Sequence, residues 1–349
     1  MTITAENHIL YLSRSDVEIA CNSIDPVAVI RDVFKLHGSG QVILPDEAYL
    51  SWTNDHDEQV RSLNMPAYIG GSLDIAGTKI INGNIVNSSR GLPRASGLTL
   101  LFDNTSVRIN CIMEGAYLSG LRTASVTLLS TELFKGREIE QAAIIGAGVL
   151  AQAHIEMLVK RLPHLRSISI FDLDRRRITA LKVELASVLQ AHEVELRETL
   201  TAEEAIRASQ LIIPVTTTTT GYIQFGWLQP GSILVNISLD DPLPEVVFKA
   251  DKVIVDDWNL VKNDPRRLIG RMYRAGQIIG PGEPAENEHQ MRRIDAQLSE
   301  VVLGTSTGRE HPDEIILVNP FGLAIEDIAL AAHVYRAALE LNMGMRLTR

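Results

Sequence analysis

Features that would place the chain in an oxidising compartment, in a membrane or on a nucleic acid are scarce. Only two cysteines occur, Cys21 and Cys111, too few for a disulfide framework or a cysteine metal site. No apolar run is long enough to span a membrane, and the N-terminus lacks the basic-then-apolar pattern of a signal peptide. The net charge of −10 argues against a nucleic-acid or anionic-membrane partner. We therefore expect a cytoplasmic protein, in which local arginines still allow a small anionic substrate.

Motifs of metal-dependent and hydrolytic enzymes are also missing. The nine histidines show no His-x-x-x-His spacing with a third ligand, and Gly-x-Ser-x-Gly does not occur. The segment Gly304-Thr-Ser-Thr-Gly308 lacks the Lys-Ser/Thr ending of a phosphate loop. We predict no metal site, and an ordinary loop at 304–308.

The length of 349 residues predicts two domains, of which the second has the clearer pattern. From Ala143 to about Asn319, short apolar runs alternate with helical stretches, which is typical of a parallel sheet covered by helices on both faces. Helices are predicted at Arg175–Ala191 and Ala202–Ala208, and strands at Ile168–Phe171, Glu193–Arg197, Gln210–Val215, Ser232–Asn236, Lys252–Val255 and Ile315–Val318. The predicted class is α/β, with a Rossmann-type doubly wound parallel sheet.

The first 120 residues predict a separate α+β domain. After a helix at about Pro26–His37, short strands are expected at Thr78–Ile81, Gly97–Phe102 and Arg108–Met113. A helical stretch at Glu114–Phe134 would connect the two domains, and the apolar helix Ala324–Leu341 would pack back on the first. We place the domains at 1–122 with 320–349, and at 123–319.

A glycine turn near the start of the second domain predicts dinucleotide binding. An apolar run at 141–145 ends in Gly146-x-Gly148-x-x-Ala151, and an amphipathic stretch continues to about Arg161. Gly146 permits the tight turn, and Gly148 lets backbone N–H groups approach a pyrophosphate at the positive end of the helix. Ala151 replaces the third glycine, where the helix packs closely on the strand.

An acid at the end of the next strand strengthens this prediction. Asp172 lies 24 positions after Gly148 (172 − 148), close to the roughly 20 expected for a carboxylate that binds the ribose hydroxyls. A carboxylate there favours NAD over NADP, because it would repel a 2′-phosphate. Arginines at 175–177 could instead accept that phosphate, although we favour their assignment to a solvated helix start.

Other polar residues stand where a nicotinamide enzyme needs a cofactor cradle, a proton carrier and a substrate clamp. The threonines at 216–220 follow the fourth strand of the sheet, and Asn236-Ile-Ser238 ends the next. Asp240 and Asp241 could supply a general base or simply form a turn. The cations Arg61, Lys79, Arg94 and Arg122 stand beside strands or helices, where they could bind carboxylates or form ordinary ion pairs.

Several segments together resemble the ornithine cyclodeaminase/μ-crystallin family. They occur in the family's order over nearly the whole chain: Met65-Pro66, Lys79-Ile-Ile-Asn-Gly83, Leu121-Arg-Thr-Ala124, Gly146-Ala-Gly148 and Gly322-Leu-Ala-Ile-Glu-Asp327. The resemblance implies a substrate-binding and dimerisation domain followed by an NAD(P) domain, and hence a homodimer. It places Arg61, Lys79 and Arg122 at the substrate and Asp241 as a catalytic acid.

The resemblance also implies a set of cofactor contacts. The residues expected to bind NAD are Thr123, Gly146, Gly148, Val149, Leu150, Asp172, Thr216, Thr217, Thr218, Ser238 and Asn319.

Further matches resemble a dehydrogenase branch of the family. They include Tyr11–Asp16, Arg94-Ala-Ser-Gly97, Val255-Asp-Asp-Trp258 and Gly308-Arg-Glu310. This branch implies NAD-dependent oxidative cleavage of N-(2-amino-2-carboxyethyl)-L-glutamate to L-2,3-diaminopropionate and 2-oxoglutarate. Arg94, where cyclodeaminases tend to carry threonine, would add a cation for a substrate with three carboxylates.

Other activities of the family remain open. Ornithine or lysine cyclodeamination and the reduction of a cyclic imine would use the same framework. The loop Asn82–Pro93 looks more like the cyclodeaminase version. A non-catalytic binder of nucleotide and ligand, as μ-crystallin resembles, is a further alternative, against which the presence of both Lys79 and Asp241 argues.

Overall fold

The computed structural model describes residues 8–284 and 291–349. It divides into two compact units, Met1–Arg122 with Leu323–Arg349 and Thr123–Gly322. One unit boundary falls within the helix that the sequence predicts as the connection. In the part of the chain that the structure describes, no helix combines the length and the apolarity needed to cross a membrane.

The first unit contains a mixed eight-stranded sheet in the order β18-β1-β7-β6-β5-β4-β2, with β3 also paired to β4. Only β1 and β7 run parallel. The strands are β1 (His8–Leu12), β2 (Val42–Ile43), β3 (Ala48–Thr53), β4 (Gln59–Ile69), β5 (Ile75–Asn84), β6 (Ala95–Phe102), β7 (Ile109–Glu114) and β18 (Met345–Thr348). The three predicted strands are therefore correctly located, although Thr78–Ile81 is only the middle of a longer one.

One face of this sheet is covered by helices. The helices are α1 (Arg14–Cys21), α2 (Pro26–Gly38), the start of α3 (Ala116–Phe134) and α12 (Ala324–Glu340), with a 3₁₀ helix at Ile85–Arg90. Helix α12 packs on α1, α2, β4, β5 and β6, as predicted for the C-terminal segment. In β4, Met65, Ala67 and Ile69 are buried and alternate with more exposed residues, which is the period of a strand with one covered face. Helix α1 was not predicted, although Ser13 and Asp16 form a capping box at its start.

The second unit contains an eight-stranded sheet in which every neighbouring pair is parallel, in the order β10-β9-β8-β11-β12-β17-β13-β16. The strands are β8 (Gln141–Ile145), β9 (Ser167–Phe171), β10 (Glu195–Glu198), β11 (Leu211–Pro214), β12 (Ile233–Val235), β13 (Lys252–Val255), β16 (Ala296–Gln297) and β17 (Ile316–Asn319). Strands β14 (Ile278–Ile279) and β15 (Arg292–Arg293) form a small separate pair. The chain leaves β8 toward β9 and β10 and then returns to β11 on the other side, so that the strand order reverses beside β8. This confirms the predicted α/β class, and ligands of such sheets bind where the order reverses.

Short helices connect these strands. They are α4 (Val149–Arg161), α5 (Arg175–Glu184), α6 (Ala186–Ala191), α7 (Ala202–Arg207), α8 (Pro244–Lys249), α9 (Trp258–Asn263), α10 (Leu268–Arg274) and α11 (Leu298–Leu303), with a 3₁₀ turn at Phe225–Trp227. The single helix predicted at Arg175–Ala191 is wrong. It is broken at Leu185, whose ψ of 1° leaves the helical region while its side chain stays buried.

Candidate active site

The two glycines of the nucleotide motif have different structural roles. Gly146 follows β8 with a φ of +106°, and an added Cβ would lie 3.0 Å from the carbonyl oxygen of Val215. Only glycine fits this turn. A Cβ at Gly148 would meet nothing within 4 Å. The protein itself therefore leaves open the space in front of Gly148, where the motif predicts a ligand.

Helix α4 begins at this open space with its backbone donors uncapped. Gly148 is the N-cap residue and provides no side-chain hydrogen bond, and Val149 is 73% exposed. Uncapped N–H groups and the helix dipole both favour an anion. Ala151 is fully buried, as expected where the third glycine of the motif packs on the strand. The predicted contacts at Val149 and Leu150 are thus in the first turn of this helix.

Asp172 lies beside the glycine turn. Its Oδ2 accepts a hydrogen bond from the backbone N–H of Ala147 at 2.7 Å, and its Oδ1 accepts one from Asp174 at 2.8 Å. This is where a carboxylate has to be in order to reach the ribose of a dinucleotide bound at the turn. The nearby Arg175 and Arg176 pair with Glu198 and Asp174, in agreement with a solvated helix start.

Asp241 is the centre of a buried hydroxyl network. It is fully buried, and it accepts hydrogen bonds from Thr216 and Tyr222 at 2.8 Å each and from Ser238. Burial raises the pKa of its carboxyl group, although the three hydroxyl donors oppose the rise. Burial and the charge of Asp241 also raise the pKa of Tyr222. The side chain of Asp241 therefore contacts hydroxyl groups instead of solvent.

The structure distinguishes the two adjacent acids. Asp240 forms an ion pair with Arg271, whose Nη2 lies 2.7 Å from its Oδ1. Asp241 has no basic partner among residues 8–284 and 291–349. In this turn, Asp240 is neutralised by an arginine, whereas Asp241 is bonded to hydroxyl groups.

Most of the other predicted cofactor residues lie at or just beyond the ends of strands of the parallel sheet. Thr216, Thr217 and Thr218 follow β11, and the Thr216 hydroxyl accepts the N–H of Thr218 at 3.1 Å. Thr217 is exposed. Asn319 ends β17, and its Oδ1 accepts from the Asn236 side chain at 2.8 Å. Thr123 begins the second unit within α3 and is 8% exposed.

In the first unit, Lys79 belongs to a buried group of four charges. Its Nζ lies 2.6 Å from Asp327 Oδ2, and both side chains are at most 1% exposed. Arg122 lies 2.8 Å from Glu326 and 3.5 Å from Asp327. Burial, followed by the charge of Arg122, lowers the pKa of Lys79, while Asp327 opposes the shift. Two cations and two anions thus balance one another away from water.

Three members of these networks carried no predicted role. Glu326 and Asp327 are adjacent acids in the first turn of a mostly apolar helix, and a buried acid requires a cation or several hydrogen-bond donors. That signal is readable in the sequence, but it does not say which residues are the partners. Tyr222 has no pattern around it that distinguishes it from an ordinary core tyrosine.

Arg61 and Arg94 differ from Lys79 and Arg122 because neither has an acidic partner among residues 8–284 and 291–349. An added Cβ on Gly83, opposite Arg61 in the β4–β5 register, would lie 3.3 Å from Arg61 Nε. The glycine therefore allows this side chain to lie against strand β5. Desolvation, followed by the charge of Arg61, lowers the pKa of the Arg94 guanidinium, although Arg94 as a residue is solvent-exposed. Two neighbouring cations without an anion are suited to binding an anionic ligand.

No group of three or more metal-ligating side chains occurs in the described parts of the chain. Within the first unit the structure groups buried ion pairs and arginines without an acidic partner in the described residues, and within the second unit it groups hydroxyls and amides. They suit a dinucleotide and a carboxylate substrate.

Residues 7–342 match the model of the ornithine cyclodeaminase/mu-crystallin family. The chain belongs to this family. It is 30% identical to the N-((2S)-2-amino-2-carboxyethyl)-L-glutamate dehydrogenase of Staphylococcus aureus (strain NCTC 8325 / PS 47), over 97% of this chain and 98% of the relative.

Solved structures share the whole fold. The crystal structure of CmnK superposes with a TM-score of 0.89 at 33% identity, covering 98% of each chain. The Thermococcus litoralis Δ(1)-pyrroline-2-carboxylate reductase, solved with NADH and L-proline, gives a TM-score of 0.85 at 24% identity, with 97% of this chain and 100% of that chain covered.

Proposed function

We propose that the chain is an NAD-dependent dehydrogenase that cleaves N-(2-amino-2-carboxyethyl)-L-glutamate into L-2,3-diaminopropionate and 2-oxoglutarate. The observation that carries this proposal is the pair of neighbouring arginines, Arg61 and Arg94, without an acidic partner in the described residues. The full-length similarity to a dehydrogenase of this substrate supports it.

The substrate has three carboxylates, and the charges of the first unit suit that number. Arg61 and Arg94 are free to bind two carboxylates. The third falls to Lys79 and Arg122, which Asp327 and Glu326 already hold in place. A substrate with one carboxylate would leave Arg61 and Arg94 facing each other without compensation.

The cofactor site is proposed in the second unit. The pyrophosphate would bind at Gly148, Val149 and Leu150, and the adenosine ribose at Asp172. Thr216, Thr217, Thr218, Ser238, Asn319 and Thr123 would line the nicotinamide end. The carboxylate of Asp172 disfavours a 2′-phosphate, which makes NAD rather than NADP the expected cofactor.

The nicotinamide, when bound, supplies a hydride acceptor for the glutamyl Cα. Loss of that hydride and of the amine proton leaves a C=N bond. Addition of water to its carbon and cleavage of the C–N bond release 2-oxoglutarate and the free amine of diaminopropionate. Lys79 would hold a carboxylate and the reacting nitrogen or carry its proton, and Asp241 would activate the water. Because three hydroxyls enclose Asp241, that proton would pass through Thr216, Ser238 or Tyr222.

The test is the appearance of reduced-nicotinamide absorbance when the purified protein is mixed with NAD⁺ and N-(2-amino-2-carboxyethyl)-L-glutamate. We expect one NADH and one 2-oxoglutarate per substrate consumed, and no reaction with ornithine. Ammonia and proline formed from ornithine without net NADH would contradict the proposal and identify a cyclodeaminase.

We further propose a homodimer formed through the first unit. Every residue of β3 is exposed, including Tyr49 (44%), Leu50 (60%) and Trp52 (47%). Large apolar side chains grouped on one exposed strand are typical of an interface rather than of a free surface.

A further inference from the structure

Glu58 is the one acidic residue that the structure shows bonded into the corner containing Arg61, Arg90 and Arg94. It directly precedes β4, three residues before Arg61. Its side chain is only 9% exposed, although it lies at the end of a hairpin. A carboxylate this well covered requires several donors.

Both oxygens of Glu58 are fully engaged. Oε1 accepts from Arg90 Nη2, while Oε2 accepts from Arg90 Nη1 at 3.1 Å, from Asn84 Nδ2 at 2.8 Å and from Asn54 Nδ2 at 3.0 Å. The arginine contact is bidentate, the strongest form of this pairing. Hydrogen bonds from Arg90 and the two asparagines lower the pKa of Glu58 to about 2, so it is ionised at neutral pH.

Asn84, one of the partners of Glu58, also contacts the backbone of Arg94. The backbone N–H of Asn84 donates to the Arg94 carbonyl at 2.9 Å, and its Oδ1 accepts from Val86 at 2.9 Å. Asn84 therefore joins Glu58 to Arg94 through two consecutive hydrogen bonds. Farther along, Asn87 Nδ2 donates to the Pro93 carbonyl at 3.2 Å, which closes the loop on itself.

The pairing of Glu58 leaves two neighbouring arginines, Arg61 and Arg94, without an acidic partner in the described residues. Among Arg61, Arg90 and Arg94, Glu58 pairs with Arg90 alone. Arg61 and Arg94 keep their charges uncompensated within the described residues. Arg61 and Arg94 can therefore each bind one of the two carboxylates of a glutamyl group.

We propose that Glu58 is a positioning residue for substrate specificity, because it holds Arg90 and Asn84 so that Arg94 stands beside Arg61 to bind a dicarboxylate. This inference rests on the proposed function and assigns the glutamyl half of the substrate to this arginine pair.

The experiment compares binding of 2-oxoglutarate, a dicarboxylate, with binding of pyruvate, a monocarboxylate, by calorimetry on the NADH-loaded protein. Glu58→Gln keeps the side-chain shape but loses the bidentate ion pair. We expect its Kd for 2-oxoglutarate to rise about tenfold relative to the wild type, with the Kd for pyruvate nearly unchanged. Arg90→Gln breaks the same pair from the other side and should give the same selective loss.

The control is Glu203→Gln, which breaks an exposed Glu–Arg pair with Arg207 on α7 and should change neither Kd. Unchanged 2-oxoglutarate affinity in both Glu58→Gln and Arg90→Gln would overturn the role of Glu58 alone. Equal weakening of both ligands would reduce Glu58 to a general structural residue. A wild-type protein that binds neither ligand would overturn the proposed function and this inference together.

Discussion

Gly146 and Gly148 allow a controlled comparison, because the structure excludes a side chain at Gly146 but leaves space for one at Gly148. Gly146→Ala would place a side chain at a φ of +106° against the Val215 carbonyl, which we expect to cost about 2 kcal/mol of stability. Gly148→Ala has open space around it, and its melting temperature should match the wild type. Its KM for NAD should nevertheless rise about tenfold, because the new Cβ takes the place of the pyrophosphate. Thermal melts and initial rates separate the two effects, and an unchanged KM in Gly148→Ala would remove the pyrophosphate from this turn.

The buried pair of Lys79 and Asp327 provides a second prediction. Lys79→Met leaves the Asp327 carboxylate buried, with Arg122, at 3.5 Å, as its remaining cation in the described residues. We expect a loss of about 3 kcal/mol in the free energy of unfolding. The double variant Lys79→Met, Asp327→Leu removes both charges and should regain most of that loss in urea unfolding. Neither variant should turn over substrate, and a fully active Lys79→Met would exclude Lys79 from the chemistry.

Asp241 gives the sharpest test of catalysis. Asp241→Asn keeps the size of the side chain and can still accept from Thr216 and Tyr222, so the fold and NAD binding should persist. Turnover should be lost, because an amide does not take a proton from water. The measurement is the NADH yield together with NAD binding followed by protein fluorescence. A variant that retains wild-type turnover would remove Asp241 from the mechanism.

The role of a single residue can be predicted from the sequence where a local motif gives that position one chemical function. Gly146 is needed for a tight turn, Gly148 for the close approach of a ligand to the backbone, and Asp172 as the acid at the end of the next strand. The structure places all three residues together. Tyr222 could not be predicted in this way, since its role depends on Asp241, which lies 19 positions away (241 − 222). The pairing of Lys79 with Asp327 likewise could not be predicted from the sequence, because 248 positions separate the two residues.

A buried polar contact between Thr127 and His154 joins helices α3 and α4. His154 donates from Nδ1 to the Leu150 carbonyl at 2.6 Å, which leaves Nε2 to accept from Thr127 at 2.9 Å. This contact anchors the first turn of the helix that begins at the glycine motif. Burial lowers the pKa of His154 to about 4.

That shift predicts how stability depends on pH. The folded pKa lies below the unfolded value of 6.5, so both states are neutral above 6.5 and only the unfolded state gains a proton between 6.5 and 4. Stability should therefore fall as the pH drops, by about 2 kcal/mol between about pH 7.5 and about pH 5 from this residue. Urea unfolding of His154→Gln should lack this component, and identical pH dependence in both proteins would contradict the assignment.

Helices and strands were predictable from the sequence where apolar residues recur at a regular spacing. Every strand predicted in the parallel sheet exists, with ends displaced by a few residues. The break at Leu185 could not be read from the sequence, because the apolar spacing of Leu181, Leu185 and Leu189 continues unbroken through it. Helix α1 is only eight residues long, too short for its spacing to exceed chance.

The assembly can be tested through strand β3. Leu50→Glu adds a charge to the centre of the exposed apolar strand, and we expect it to convert the proposed dimer to monomer. Val183→Glu, on the exposed face of α5 with 74% exposure, is the control and should remain dimeric. Sedimentation equilibrium gives the mass directly. A wild-type protein that sediments as a monomer would refute the dimer itself.

The discontinuity of the first unit has a consequence for synthesis. Strands β4, β5 and β6 emerge from the ribosome early, but the helix that covers them, α12, comes after all 200 residues of Thr123–Gly322. Until then Lys79 has no Asp327, and the apolar face of Met65, Ala67 and Ile69 is bare. The parallel sheet can be completed first, since domains fold as their chain becomes available. In the nascent chain, the nucleotide-binding unit should therefore fold before the substrate-binding unit. Chaperones should bind the exposed apolar face of the substrate-binding unit until helix α12 has been synthesised.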